Sequence, residues 1–174
     1  MKTANLELLP WTPAHLLALI ESAEAFEKSS GFKIAAGIHE MFTSGDVSPE
    51  FFAMLKSTPA VDAADPWTFG FFVLHAADRL VIGSGGFKGP PDAEGIVEIA
   101  YGIAPDYRGR GFATEVARAL TAFVLEDARV RTIRAHTLPE PNASTRVLAK
   151  CGFRKIGEVT DPDDGPVWRW EFQP

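Results

Sequence analysis

The chain has 174 residues, 46% of them apolar and 23% charged, as expected of one soluble globular domain large enough to bury its own core. Its net charge of −6 is unevenly placed: residues 1–94 carry 6 Lys/Arg against 12 Asp/Glu, and residues 95–174 carry 11 of each. Neither half has the strongly basic balance of a duplex-binding surface, so nucleic acid is not an expected partner. No apolar run reaches the roughly 18 residues of a membrane span. The start, MKTANLELLPWTP, lacks the apolar centre of a secretory signal, and Cys151 is the single cysteine, so no internal disulfide can form. A cytoplasmic protein with no membrane partner is expected.

Leu6–Trp11 predicts a first strand. A helix follows over residues 12–29, with Thr12 as cap, Pro13 at its first turn, and Leu16, Leu17, Ile20 and Ala23 at helical spacing. Ser48 and Pro49 repeat the device for a short helix, with mixed loop and helix over Gly31–Gly45 between them. Trp67–His75 and Leu80–Phe87 are apolar, rich in β-formers and separated by AADR, which predicts a hairpin. Ile96–Ile103 adds another strand. Val116, Leu120 and Val124 recur every four residues and predict an amphipathic helix from Phe112 to about Ala128. RTIRAHTL is a strand, and NASTRVLAKCGF a short helix closed by Gly152. RKIGEV and VWRWEFQ are two final strands across TDPDDGP. One strand–helix–strand crossover among mostly antiparallel strands gives a mixed α/β (α+β) single domain spanning residues 1–174.

The densest chemistry lies in IAYGIAPDYRGRGFATEVARAL, residues 99–120. There a strand runs through a turn with two arginines and two glycines into a helix. A helix start offers unpaired N–H groups and a partial positive charge, the ordinary receptor for phosphate. Gly109 and Gly111 let an anion approach the backbone, and Arg108 and Arg110 add charge. The alternative is a glycine turn that only redirects the chain. A P-loop is excluded because the lysine is absent, and the dinucleotide fingerprint has Thr114 at its third small position.

Arg108-Gly109-Arg110-Gly111-Phe112-Ala113 resembles the Q/R-x-x-G-x-G/A signature of the GNAT superfamily of acyl-CoA N-acyltransferases. HTLPEPNASTRVLAKCGF is similar to the second motif of its Rim-type (ribosomal-protein acetyltransferase-like) branch. The resemblance implies a mostly antiparallel sheet splayed at its centre with helices on both faces. It also implies acetyl-CoA as cofactor and a primary amine as acceptor. A peptide N-terminus is the leading acceptor, and a polyamine, amino acid or aminoglycoside the alternative. A homodimer stays open, as does a domain that binds acyl-CoA without turnover.

Carried over residue by residue, the resemblance implies that the backbone from Gly109 through Arg110, Gly111, Phe112 and Ala113 to Thr114 holds the pyrophosphate, with Arg108 and Arg110 as supporting charge. The strand around Tyr101 and Ile103 would pair with the pantetheine arm and the acyl carbonyl, although both side chains suit the core equally. Asn142 and Ser144 match polar positions along the cofactor arm, or else cap their helix. Glu98 is the candidate general base because alternation sets Glu98, Ala100 and Gly102 on one face; otherwise it is an ion-pair partner. Leu148 stands where many members carry a tyrosine that protonates the leaving thiolate. Glu115 and Cys151 are expected to be structural. The histidines, at 15, 39, 75 and 136, lack metal-ligand spacing, so no metal is expected; His136 is a candidate for lining the cleft. Trp168 and Trp170 share a strand face, where core packing or a wall of the acceptor site would each suit them.

Overall fold

A computed structural model describes residues 1–44, 53–55, 57, 63–162 and 164–174. The expected start of a short helix at Ser48 and Pro49 lies outside the described residues; residues 53–55 of that segment are helical. Among those described, no helix is long and apolar enough to cross a membrane.

Strand β1 (Leu6–Pro10) leads to Thr12, whose hydroxyl accepts from the His15 amide and caps α1 (Pro13–Glu21). The single helix expected over residues 12–29 is two. Ser22 is extended, with φ −170°, and its hydroxyl accepts from the Ala25 amide, so it ends α1 and starts α2 (Ala23–Ser30). Cap chemistry at a serine outweighs the continuous apolar pattern. Short β2 (Lys33–Ile34) and α3 (Ile38–Thr43) follow, in the stretch expected to be mixed. The strand expected from Trp67 begins instead at Phe71, because Asp65 caps a helical turn, α4 (Pro66–Phe69), that ends on Gly70 at φ +71°.

β3 (Phe71–His75), β4 (Leu80–Phe87) and β5 (Ile96–Ile103) form an antiparallel meander, and α5 (Phe112–Val124) crosses to β6 (Thr132–Thr137). α6 (Ala143–Lys150), β7 (Arg154–Asp161) and β8 (Gly165–Phe172) complete the chain. The sheet order is β1-β3-β4-β5-β6-β8-β7, with β2 alongside β4. Among the described residues, only β5–β6 and β2–β4 pair in parallel.

The core lies between the sheet and its helices. Trp11, Phe26 and Phe72 meet at centroid distances of 5.0–6.0 Å on the α1–α2 side. On the opposite side Val116, Leu120 and Val124 of α5 are fully buried. Gly85 of β4 lies directly under them: a Cβ there would stand 3.0 Å from Val116 and 3.1 Å from Leu120.

Glu115, in the first turn of α5, ties that helix to the chain before β1. It accepts from the Asn5 amide at 2.8 Å, from Asn5 Nδ2 at 3.0 Å and from the Thr3 hydroxyl. Burial alone would raise its carboxyl, but these hydrogen bonds hold it below the ordinary carboxylate value. The stabilisation is therefore complete above the unfolded-state pKa and disappears as pH falls through the lower folded-state value. Glu115→Gln is expected to cost about 1 kcal/mol at pH 7 and progressively less towards acid pH, measured by urea unfolding across a pH series.

Candidate functional site

The site is organised by β5, which changes neighbours along its length. Ile96–Glu98 pair with Thr132–Arg134 of β6, and Ile99–Ile103 pair with Gly83–Phe87 of β4. Among the described residues, the edge of β5 that faced β6 has no strand partner after Glu98. Unpaired main-chain groups need water or a ligand. The sheet is therefore splayed at its centre, as the family resemblance implied.

At the far end of β5 the chain passes through a 3₁₀ turn (Pro105–Tyr107) into the glycine loop. Gly109 and Gly111 have φ of +76° and +88°, and nothing stands within 4 Å of where a Cβ would be on either. Glycine is needed there for the backbone, and its bare side opens outward. Gly111 is the N-cap of α5, and no side chain caps that end. A cavity of about 280 Å³ lies over it, bounded by Ile103, Tyr107, Gly109, Thr114 and, from α6, Arg146 and Lys150. Uncapped amides, open glycines and basic side chains suit a diphosphate.

The loop arginines act less directly. Arg108 Nε donates to the Ile103 carbonyl at 2.9 Å and fixes the loop to the end of β5. Arg110 stacks on Tyr107 at 5.1 Å, and the Tyr107 hydroxyl donates to Asp78 at 2.7 Å. Phe112 is buried in the core, and Ala113 helps line the cavity.

Between the splayed strands lies a second cavity of about 160 Å³, lined by Glu98, Tyr101, His136, Ser144 and Leu148 among others. Glu98 Oε1 is 3.0 Å from Lys88 Nζ and 3.1 Å from His136 Nδ1. Asp161 stands behind both, 3.6 Å from Lys88 and 4.0 Å from His136, and Arg169 Nε approaches His136 Nε2 at 3.5 Å. Burial alone would lower the Lys88 ammonium. The hydrogen bond and charge of Glu98, with the charges of Asp161 and Asp164, hold it above its ordinary value instead. Glu98 is thus both an ion-pair partner and a wall of the cleft.

Ser144 faces this cavity, whereas Asn142 is the cap of α6: its side chain accepts from the Thr145 amide at 3.0 Å, and the Thr145 hydroxyl accepts from the Asn142 amide. Ile103 is a core residue. The Tyr101 hydroxyl is buried without a hydrogen-bond partner among the described residues, and burial, with Cys151 close by, pushes its phenol upward. Cys151 is half-buried, its thiol directed at the Thr114 carbonyl. Trp170 is buried and donates to Thr137, and Trp168 donates to Glu158 under the Lys155 ammonium; neither lines the cleft.

A third cavity, about 340 Å³, lies on the face of β5 opposite α5. Its floor is Ser84, Gly86, Ala100 and Gly102, paired across β4 and β5, and α3 and α4 supply its walls. It shares Ala100 and Tyr101 with the splay cavity, so the two meet at the middle of β5. Lys88 and Asp161 carry no local motif in the sequence; the fold alone brings Lys88 to Glu98 and Asp161 to Lys88 and His136.

Residues 5–154 match the family model described as Acetyltransferase (GNAT) domain. The uncharacterized N-acetyltransferase YjdG of Bacillus subtilis is 27% identical over 105 residues, 60% of this chain and 60% of that protein. The chain spans about half to three-fifths of the length of the curated relatives it matches. Among solved structures, ribosomal-protein-S5-alanine acetyltransferase from Vibrio fischeri superposes with a TM-score of 0.66 at 14% identity, covering 99% of this chain and 95% of that one. Aminoglycoside acetyltransferase AAC(6')-Ib, in complex with coenzyme A, gives 0.60 at 19% identity, covering 97% and 94%. These two show a shared fold.

Gly111→Val would place a β-branched side chain in left-handed backbone and fill the open side of the cradle. Calorimetry with coenzyme A is expected to show binding lost, with a thermal melt still cooperative. Tyr101→Phe removes an unpaired buried hydroxyl and is expected to leave the protein as stable or up to about 1 kcal/mol more so, measured by chemical unfolding without cofactor.

Proposed function

We propose that this chain, which belongs to the acetyltransferase (GNAT) family, moves the acetyl group of acetyl-CoA to a primary amine by direct attack in a ternary complex. One observation carries this: the phosphate-type cradle at α5 and the cavity under α3 and α4 lie on opposite sides of β5, and the splay cavity lies between, meeting the second at Ala100 and Tyr101 and lined by Ser144 and Leu148 of α6, the helix whose Arg146, Val147 and Lys150 line the cradle. Two ligands held there would meet without a covalent enzyme intermediate. AAC(6')-Ib, of the same fold, is described in complex with coenzyme A, which supports the cofactor assignment.

The amides from Gly109 to Thr114 would hold the diphosphate, and Ser144 and the free edge of β5 at Tyr101–Ile103 would hold the arm. Asn142 would orient this stretch through its cap. Acetyl-CoA supplies an activated acyl carbonyl. N–H groups of β5 would stabilise the oxygen that gains charge on attack. Glu98 would take the proton released by the amine, directly or through water, with Lys88 and His136 fixing its carboxylate. Deprotonating an α-amine of pKa near 8 costs about 1.4 kcal/mol at neutral pH, and a lysine-type amine near 10.4 about 4.6 kcal/mol. A base therefore matters more for the second.

The acceptor is a primary amine of a peptide N-terminus or a small molecule. Ribosomal-protein-S5-alanine acetyltransferase and AAC(6')-Ib share this fold with different named substrates, so fold does not choose between them. Leu148 is buried and supplies no acid to the leaving thiolate. A thiol of pKa near 8.5 leaves well enough without one.

Incubation with acetyl-CoA and a panel of amines and peptides, read by mass spectrometry, tests the assignment. Acetylated product with release of free thiol is expected; cofactor binding with no product from any amine would leave a binding domain only. Glu98→Gln is expected to slow transfer about 10²-fold or more at pH 7, and more for lysine-type amines than for α-amines, in steady-state thiol release. An unchanged rate would remove Glu98 from the role of base.

A further inference from the structure

The third cavity has a feature that the reaction as described does not use. Glu98, Ala100 and Gly102 succeed one another on the face of β5 opposite α5, and Ser84 and Gly86 of β4 stand opposite Gly102 and Ala100. The charged pair of Glu98 and Lys88 lies at one end of this row. Met41, from α3, lies at the other: a Cβ added at Gly102 would collide with its terminal methyl. The thioether thus fills the space that a side chain on β5 would otherwise occupy.

Met41 is firmly placed although its own side chain is half-buried. Ile38 of the same helix is fully buried, and Phe42 packs edge-on against Trp11 at 5.6 Å. Gly37, at the helix start, lies so close to Pro105 that a Cβ there would stand 3.0 Å from its ring. α3 is therefore tied both to the core and to the turn that follows β5. Along this face the row from Glu98 to Gly102 covers roughly 13 Å, at about 3.3 Å per residue. Among the described residues, none of those lining the cavity is charged; Met41, Phe42 and Phe69 give it apolar walls.

We propose that Met41, seated over Gly102, is the specificity-determining residue of the acceptor site: it sets the length of an apolar body whose amine lies near Ala100 and Glu98. This rests on the acetyltransferase reading. An amine whose carrier chain is uncharged and extends away from Glu98 runs towards the thioether and is stopped by it. A thioether with several rotatable bonds makes a compliant end-stop, so the limit is gradual. A polyamine carries further charges along its length, which this wall does not pair.

The test uses linear primary amines from ethylamine to octylamine with acetyl-CoA, compared as kcat/KM at pH 9 for the wild type, Met41→Ala and Gly102→Ala. The wild type is expected to pass through an optimum length. Met41→Ala is expected to move that optimum two to three carbons longer and to raise kcat/KM for the longest amines about tenfold. Gly102→Ala is expected to push the methyl into the groove and shorten the optimum. Gly102 does not have positive φ, so alanine fits its backbone and collides only with a flexible side-chain end; this variant decides alone if Met41→Ala does not fold. Calorimetry of octylamine binding to the protein saturated with coenzyme A gives a readout independent of turnover, and is expected to strengthen in Met41→Ala.

An optimum that does not move in the folded variants overturns the proposal. So does spermidine outperforming an uncharged-body amine of equal length in the wild type. A shift in preference among acetyl-, butyryl- and hexanoyl-CoA, with the amine profile unmoved, would place Met41 on the acyl side and overturn it too. If the wild type acetylates no amine, the acetyltransferase reading itself fails and takes this inference with it; activity with an unmoved optimum sinks the inference alone.

Discussion

The three paired residues that join β5 to β6 control the rest of the molecule. Had pairing continued past Glu98, the sheet would be closed at its centre and the main chain of Ala100–Ile103 satisfied on both edges. Because it stops there, a run of backbone donors and acceptors faces an opening between two strands that remain anchored elsewhere. β5 keeps its position through the antiparallel ladder to β4, and β6 through the ladder to β8, so the opening is held by rigid elements on both sides. The Tyr101 hydroxyl, buried without a partner beside this opening, is the kind of uncompensated polar group that persists only where the surrounding fold over-determines it.

Charge is arranged unequally on the two sides of that strand. On the cradle side the amides of α5, with Arg146 and Lys150 of α6, collect positive potential around an opening of anion size. On the other side a carboxylate-rich cluster holds one lysine and one histidine, while the groove beyond it is walled by apolar side chains. An anionic cofactor and an amine would each be drawn to its own entrance, and the splay would be where they meet. The acidic first half of the chain contributes α3 and α4 to the groove side, whereas Arg108 and Arg146 of the second half line the cradle.

Much of this was legible because it is local. The junction from Ile99 to Leu120 could be read directly: positive-φ glycines and the start of an amphipathic helix depend on a few successive residues. Two misplaced boundaries are also local in origin. Ser22 lies inside a longer apolar pattern and Asp65 just ahead of one, and in each case a side-chain hydrogen bond to the backbone prevailed over periodicity. Asn142, matched to a cofactor position by resemblance or else expected to cap its helix, does cap it, by the same chemistry.

The sequence alone thus determined the class of fold and, through the resemblance of its two motifs, the family; it also determined the open helix start at Gly111, because main-chain conformation and helix ends follow from nearest neighbours. It also set Glu98, Ala100 and Gly102 on one face, because a strand alternates. Only the tertiary structure decided what meets that face. Lys88 and His136 reach Glu98 from two other strands or their ends, Asp161 backs both from a third, and Met41 reaches Gly102 from a helix tied to the core by its neighbours. Those distances are fixed by sheet order and helix docking, to which no spacing along the chain corresponds.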